Sequence, residues 1–249
     1  MTVTVDWQAW LQRWDAQQSN YLPDREHTLR LILDIVERLA GPMPRLLDLG
    51  CGPGSLLGRA RHRFPTADLT GVDLDPFLLE LARQAHPDSA TYIQANYCEE
   101  GWLGEGTFDA ITSVSAIHYL NPSQLDPLLA TLASHLRPGG VLVIADTLRL
   151  DPSQRPQLDR LAVDLRQHLW DGGGAPANAE TWTEWWQSAH TEPAFKDLLT
   201  QRASALADLT EPESEVTLPT LMNALAAAGF AEIGPLYQSA DHHVVAAIR

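Results

Sequence analysis

Short apolar runs alternate with helical patterns from residue 45 to residue 146. The runs at 45–49, 68–73, 90–94, 108–114 and 141–145 predict five strands, and helices are predicted between them. This alternation is typical of an α/β fold with a parallel sheet. Two more runs, 232–237 and 243–248, are joined only by 238–242, which makes them an antiparallel pair. We therefore predict a doubly wound α/β sheet, mostly parallel, with one antiparallel C-terminal strand.

The remaining segments read as helical additions to a single domain, which the length of 249 residues allows. Residues 1–41 form a helical cap, in which the tryptophans at 7, 10 and 14 share one helical face. The cofactor-binding core spans 45–146, a helical lid insert spans 147–215, and 217–249 complete the sheet with a helix and a hairpin. The glycine run 172–174 is either a lid hinge or an ordinary loop. The turn 137–140 (Arg-Pro-Gly-Gly) is expected to precede the fifth strand.

The charge balance excludes several classes of partner. The chain has 17 basic and 32 acidic residues, a formal net charge of −15, and a single lysine, Lys196. A phosphate-tracking surface needs clustered basic residues, so we expect neither nucleic acid nor membrane as a partner. The start of the chain resembles no signal peptide, no run is long enough to span a bilayer, and Cys51 and Cys98 read as free thiols. These features predict a cytoplasmic protein; its oligomeric state stays open.

A glycine-rich turn follows the first strand. Gly50, Gly52 and Gly54 allow backbone to approach a ligand closely, and the next helix offers unpaired N–H groups at its start. Asp73 ends the second strand, where a carboxylate can accept hydrogen bonds from ribose hydroxyls. The spacing G-x-G-x-G differs from the dinucleotide fingerprint G-x-G-x-x-G, so a nicotinamide-dependent oxidoreductase is a weaker interpretation.

Four segments together resemble the class I S-adenosylmethionine-dependent methyltransferases of the small-molecule type, which have a Rossmann-like fold. The segments are 47–54 (Leu-Asp-Leu-Gly-Cys-Gly-Pro-Gly), 71–75 (Gly-Val-Asp-Leu-Asp), 108–118 (Phe-Asp-Ala-Ile-Thr-Ser-Val-Ser-Ala-Ile-His) and 136–142 (Leu-Arg-Pro-Gly-Gly-Val-Leu). The resemblance covers 45–146 and 217–249. It implies S-adenosyl-L-methionine as the cofactor and a small-molecule methyl acceptor, but it names no acceptor.

The resemblance also implies which residues hold the cofactor. The backbone of the glycine turn lies against the methionine portion, Asp48 helps to hold its amino group, and Asp73 binds the ribose. Many members have an aspartate after the third strand for the adenine amino group; here Asn96 stands there, followed by Tyr97. The complete predicted cofactor set is Asp48, Gly50, Cys51, Gly52, Gly54, Asp73, Leu74, Asn96, Tyr97, Ser113 and Tyr21.

Few residues are candidates for the chemistry, because the sulfonium cofactor already activates the methyl group. His118 follows the fourth strand and is either a general base or a residue that shapes the pocket. Tyr119, Trp182 and Trp186 are candidate substrate contacts, although an aromatic stripe at helical spacing is more often core. No metal site is expected, since the histidines and cysteines lack ligand spacing. The sequence therefore predicts a methyltransferase; the alternative is a non-catalytic protein that only binds the cofactor or its product.

Overall fold

The structure, a computed structural model, describes residues 5–22, 24–99, 101–171, 179–207 and 216–249. The strands within these ranges are β1 (Arg45–Leu49), β2 (Asp68–Asp73), β3 (Thr91–Gln94), β4 (Phe108–Val114), β5 (Leu136–Thr147), β6 (Glu232–Ser239) and β7 (His242–Ile248). The helices are α1 (Trp7–Gln18), α2 (Arg25–Ala40), α3 (Ser55–Arg63), α4 (Pro76–Ala85), α5 (Pro122–Ser134), α6 (Pro156–Asp171), α7 (Trp182–Thr191), α8 (Lys196–Ala205) and α9 (Leu218–Ala227). Two short 3₁₀ helices lie at Ile117–Tyr119 and Pro193–Phe195.

The described strands form one sheet in the order β3-β2-β1-β4-β5-β7-β6. The first five in this order are parallel to one another, and β7 is antiparallel to both of its neighbours. The predicted doubly wound, Rossmann-like sheet with one antiparallel C-terminal strand is confirmed. Its strand order reverses between β1 and β4, so the carboxyl ends of these strands border the crevice where open α/β folds bind ligands.

The predicted turn at 137–140 is wrong, because this segment lies inside β5. Backbone hydrogen bonds link Gly139 N–H to the Arg249 carbonyl and Arg249 N–H to the Gly140 carbonyl, which extends the pairing with the C-terminal strand. Next to it the register of β4 against β5 shifts between Phe108 and Ala110. The bulge accommodates Pro138, which has no N–H to give to a regular ladder.

Two apolar layers cover the sheet, one on each face. In one layer, α5 and α9 pack against Leu47, Ile111 and Ile144. In the other layer, α2 and α3 pack against Leu46 and other strand residues that alternate along each strand with those of the first layer. The alternation follows from the period of two in a strand. Capping starts two of the helices at defined residues: Asn121 with Gln124 before α5, and Thr181 with Glu184 before α7.

A third cluster joins the N-terminal helix to the insert. It contains α1, α4, α7 and the start of α8, and its large members are Trp10, Trp14, Phe77, Trp185, Trp186 and Phe195. We call this set the tryptophan cluster. Most of its ring pairs meet edge to face or tilted, which is the favoured geometry of aromatic pairs. The predicted helical cap and part of the predicted insert therefore pack together, over the N-terminal half of the sheet.

The leucines of α6 behave differently from those of the core. Leu158, Leu161 and Leu165 share one face of the helix, but each residue is about half exposed. They line an open groove of about 360 Å³ together with Leu150 and the end of the β6–β7 hairpin. The predicted hinge at 172–174 lies outside the described residues. Within the described ranges, no helix has the length and apolar character needed to cross a membrane.

Trp185→Ala is expected to lower the free energy of unfolding by about 3–5 kcal/mol, because it empties a fully buried site in the tryptophan cluster. Urea denaturation followed by far-UV circular dichroism measures the change. Trp182→Ala, at a half-buried position in the same helix, is the control and should lose less. A loss below about 1 kcal/mol for Trp185→Ala would contradict the packing described here.

Candidate functional site

The glycine turn between β1 and α3 has a conformation that few other residues adopt. Gly50, Gly52 and Gly54 all have positive φ angles, of 68°, 52° and 76°. A Cβ on Gly50 would lie 2.4 Å from the Cβ of Ala116, so no side chain fits there. A Cβ on Gly52 would meet only a Leu78 methyl, at 4.0 Å. The turn is thus packed against the protein at Gly50 and open at Gly52, as close approach of a ligand requires.

The Asp73 carboxylate connects this turn to the start of α4. Its Oδ2 accepts a hydrogen bond from Gly52 N–H at 2.7 Å, and its Oδ1 accepts one from Asp75 N–H at 2.9 Å. Burial raises the pKa of Asp73 to about 6, and these N–H donors limit the rise. Asp73 therefore stands at the carboxyl end of β2 as a mostly ionised acceptor at neutral pH, and its role in binding ribose stays a prediction. Leu74, which follows it, is half-buried.

A second carboxylate, Asp48, lies under the turn near the end of β1. It is 2% exposed and accepts a hydrogen bond of 2.8 Å from the Thr112 hydroxyl on the neighbouring strand β4. Burial raises the pKa of Asp48 to about 7, although the Thr112 bond opposes the rise. A cationic group bound beside Asp48 would favour its ionised form.

Three more predicted cofactor contacts lie after β3 or at the end of β4. Asn96 is held in a local turn, where its Oδ1 accepts from Cys98 N–H at 3.1 Å and its Nδ2 donates to Glu99 at 3.0 Å. Tyr97 places its ring beside Gly50, and its hydroxyl donates to the Ala116 carbonyl at 3.4 Å. Ser113 is 1% exposed, with its hydroxyl bonded to the Leu49 carbonyl at 3.1 Å. All three lie around the glycine turn, and their side-chain polar groups already have protein partners.

His118 and Asp146 form a hydrogen-bonded pair at the same edge of the sheet. The distance from His118 Nδ1 to Asp146 Oδ1 is 2.7 Å. Asp146 Oδ2 accepts from the backbone N–H groups of Ile117 and His118, at 2.8 and 3.1 Å, so the carboxylate also fixes the 3₁₀ helix that carries the histidine. The Asp146 side chain is 1% exposed and that of His118 is 29% exposed. With Nδ1 directed to the carboxylate, Nε2 is the nitrogen left for a ligand.

The pair has the electrostatics of a base and its orienting group. Burial alone would lower the pKa of His118, but the adjacent Asp146 carboxylate outweighs this effect and raises it. Burial also disfavours ionised Asp146, yet His118 and the backbone donors hold its pKa below the ordinary value. An imidazole whose Nδ1 proton is bound by a buried carboxylate is a stronger proton acceptor at Nε2.

Sequence reasoning missed Asp146. Its position in the sequence was the available signal. Asp146 is an acid near the end of β5, and this end lies at the same edge of the sheet as the residues that follow β1, β2 and β4. Ser115 was also missed; its positive φ of 52° lies directly after β4, a rare conformation for a residue with a side chain and one that clusters at functional sites.

The structure brings only some of the predicted substrate contacts to the histidine. The Tyr119 ring centroid is 4.2 Å from that of His118, and Tyr119 is 54% exposed. Trp186 is 7% exposed and packs in the tryptophan cluster, while Trp182 is half-buried at its margin. Tyr21 accepts a hydrogen bond from the backbone N–H of Trp182 at 3.2 Å. Roles of Trp182, Trp186 and Tyr21 in binding therefore stay predictions.

Comparison with known proteins identifies the domain around this site. Residues 46–140, from β1 into β5, match the family model described as a methyltransferase domain. These residues are therefore similar to a methyltransferase domain. The match agrees with the predicted family over the segment that contains the glycine turn, Asp73 and His118.

Relatives of the methyltransferase domain differ in their named acceptors. The trans-aconitate 2-methyltransferase of Azoarcus sp. (strain BH72) is 35% identical over 144 residues, 57% of this chain and 54% of that protein. The ribosomal protein L11 methyltransferase of Ralstonia nicotianae is 33% identical over 121 residues, 49% of this chain and 38% of that protein. The chain thus spans about half the length, or less, of these curated relatives.

The fold extends beyond the matched segment. An O-methyltransferase family protein from Burkholderia thailandensis superposes with a TM-score of 0.55 at 18% identity, over 88% of this chain and 55% of that chain. At this identity the likeness concerns the fold alone. It covers more of the chain than the matched segment 46–140 does, since 88% of the chain is covered.

Asp146→Asn is expected to lower the pKa of His118, because the neutral amide no longer stabilises the imidazolium. NMR titration of the His118 ring signals measures the shift. His62→Gln, on the surface face of α3, is a control that should leave the titration of His118 unchanged. An unchanged pKa for His118 in the Asp146→Asn variant would contradict the pairing.

Proposed function

We propose that this protein is an S-adenosylmethionine-dependent methyltransferase that transfers a methyl group to a small molecule. The observation that carries the proposal is the methyltransferase-domain match over residues 46–140, the segment that contains the glycine turn and Asp73. The cofactor supplies an activated methyl group, and the chain's residues bind, orient and exclude water. Because the chain spans only part of the length of its curated relatives, we propose both the methyltransferase activity and the class of acceptor.

The residues around the glycine turn fit this cofactor. Gly52 leaves open space where a ligand can approach backbone, and Asp73 stands beside it with both oxygens already oriented by N–H donors. We assign the ribose hydroxyls to Asp73 and the methionine amino group to the neighbourhood of Asp48. The raised pKa of Asp48 supports the second assignment, since a bound ammonium group would relieve the unfavourable burial of its charge. We assign the adenine contacts to Leu74 and to the Asn96–Tyr97 segment.

His118 acts as the general base toward the acceptor in this proposal. A base is needed only when the acceptor loses a proton during transfer, so the His118–Asp146 pair favours an acceptor with a hydroxyl group over one that is already ionised. The proton of the hydroxyl passes to Nε2, and the buried Asp146 carboxylate stabilises the imidazolium that forms. Tyr119, which is exposed and whose ring is tilted against that of His118, is a candidate contact for the same acceptor.

The acceptor class is supported by charge and by the insert. None of the residues outside the described ranges is basic, and several arginines are paired with carboxylates, among them Arg13, Arg59 and Arg149. The formal net charge of −15 disfavours an anionic polymer as the acceptor. The packing of α7 and α8 beside α4 supports an insert that covers the cofactor cleft as a lid. One relative is named for a small tricarboxylate and another for a protein, so the domain itself leaves the acceptor open.

Asp73→Ala is expected to weaken binding of S-adenosylhomocysteine by about 1.5–3 kcal/mol for each charge-assisted hydrogen bond lost to the ribose. Isothermal titration calorimetry measures this, with NAD as the ligand control. Asp68→Ala, an exposed acid at the other end of the same strand, should bind like the unaltered protein. Equal affinity for the Asp73→Ala variant would remove Asp73 from the cofactor site, and absence of binding to the unaltered protein would overturn the proposal.

His118→Gln is expected to reduce methyl transfer by about 10²–10⁴-fold while keeping the affinity for S-adenosylhomocysteine. Production of S-adenosylhomocysteine is followed with trans-aconitate and a panel of small hydroxy acids and phenols as acceptors. In the unaltered protein the rate should increase as pH rises through the pKa of His118, because the base must be neutral. Cofactor binding without turnover for any acceptor would instead support the non-catalytic binding protein.

A further inference from the structure

An arginine of the insert reaches the cofactor-binding strand edge. Arg202, in α8, donates from Nε to Asp75 Oδ2 at 2.6 Å, and the two residues are 127 positions apart in the chain. Its guanidinium lies over the Trp186 ring, 3.8 Å from the centroid. The Asp75 side chain is 7% exposed, so the ion pair is largely withdrawn from water. Stacking on an aromatic ring fixes the guanidinium plane and with it the direction of the bond to Asp75.

Asp75 is in turn bound to the residues around it in three ways. Its Oδ1 accepts from the N–H groups of Phe77 and Leu78, at 2.9 and 3.3 Å, which caps α4. Its own N–H donates to Asp73 Oδ1 at 2.9 Å. Its remaining carboxylate oxygen pairs with Arg202. A single residue therefore connects the insert, the start of α4 and the ribose-binding carboxylate.

We propose that Arg202 is a positioning residue for the cofactor: by holding Asp75 it keeps the Asp75 N–H aimed at Asp73 and so orients Asp73 toward the ribose. The inference rests on the proposed function, because it takes Asp73 as the ribose ligand. It makes the insert part of the cofactor site. In this inference Arg202 acts through its bond to Asp75.

The local charges support this role. Asp73 and Asp75 are two carboxylates separated by one residue, and the charge on Asp75 adds to the effect of burial in raising the pKa of Asp73. Burial raises the pKa of Asp75 as well, and Arg202 counteracts that rise. Asp48, Tyr97 and Tyr119 also face this region, and within the described ranges Arg202 is the cation paired with either carboxylate. Without Arg202, the Asp73 and Asp75 carboxylates would be two uncompensated negative charges at a poorly hydrated site.

Arg13 offers a matched control. It too joins the insert to the rest of the protein, since its Nε and Nη2 donate to Glu180 at 2.7 and 2.6 Å. It also lies over a ring of the tryptophan cluster, 4.1 Å from the Trp10 centroid. Arg13→Met and Arg202→Met therefore remove the same kinds of contact, an ion pair and a cation–π contact. Only the second variant removes the link to Asp73.

The test is a double-mutant cycle with S-adenosylhomocysteine as the probe, measured by calorimetry on Arg202→Met, Asp73→Asn and the double variant. We expect Arg202→Met to weaken binding of S-adenosylhomocysteine about tenfold when Asp73 is present. In the Asp73→Asn background the loss should be less than about twofold, because the carboxylate that Arg202 positions is then already altered. Arg202→Lys, which keeps the charge, should recover part of the affinity. Thermal unfolding of every variant confirms that each is folded.

Three results would overturn the proposal. The first is an unchanged affinity for Arg202→Met, and the second is the same loss in both backgrounds, which describes an effect that does not pass through Asp73. The third is an equal loss for Arg13→Met, which would assign the effect to attachment of the insert. If the unaltered protein does not bind S-adenosylhomocysteine, the proposed function fails instead, so the two failures are distinguishable.

Discussion

The hydrogen bond from Gly52 N–H to the Asp73 carboxylate joins the two main features of the proposed cofactor site. One is a turn whose three glycines have positive φ angles; the other is an acid at the end of the neighbouring strand. The bond makes each a constraint on the other, because the turn orients the carboxylate and the carboxylate satisfies a backbone donor of the turn. Gly50 and Cys51 add N–H bonds to the Val72 carbonyl, so the backbone of β2 holds the turn as well. The turn that borders the crevice, where the strand order reverses, is thereby held in one conformation.

The two halves of the site use buried carboxylates in different ways. Asp73 is held by backbone donors, which keep it available as an acceptor. Asp146 is held by the same kind of donor, but its other oxygen is directed at an imidazole, so its charge adjusts the basicity of His118. Both acids lie at the carboxyl ends of strands, where backbone N–H groups of the following loops are free to bind them. The fold thus supplies the donors, and the position of each acid decides its chemistry.

Much of the fold could be predicted because its signals are local. Apolar runs, Pro76 at the first position of α4, and the glycine turn specify strands and helix starts from neighbouring residues alone. The interval 137–140 was misread because its backbone partner, Arg249, is distant in sequence. Asp146 and the Arg202–Asp75 pair were missed for the same reason, since each acquires its role from a residue that only tertiary packing brings near. The exposed leucines of α6 also show that a helical stripe predicts a shared face without saying what covers it.

The tryptophan cluster imposes an order on the folding of the chain during synthesis. Helix α1 precedes its contacts in the insert by a long stretch of chain, since Arg13 and its partner Glu180 are 167 residues apart. At 5–20 residues per second, the rings of Trp10 and Trp14 wait on the order of ten seconds or more for their partners. During that interval two large apolar side chains are available to chaperones and to other nascent chains. The docking of α1 on the insert therefore has to wait until the insert itself has been made.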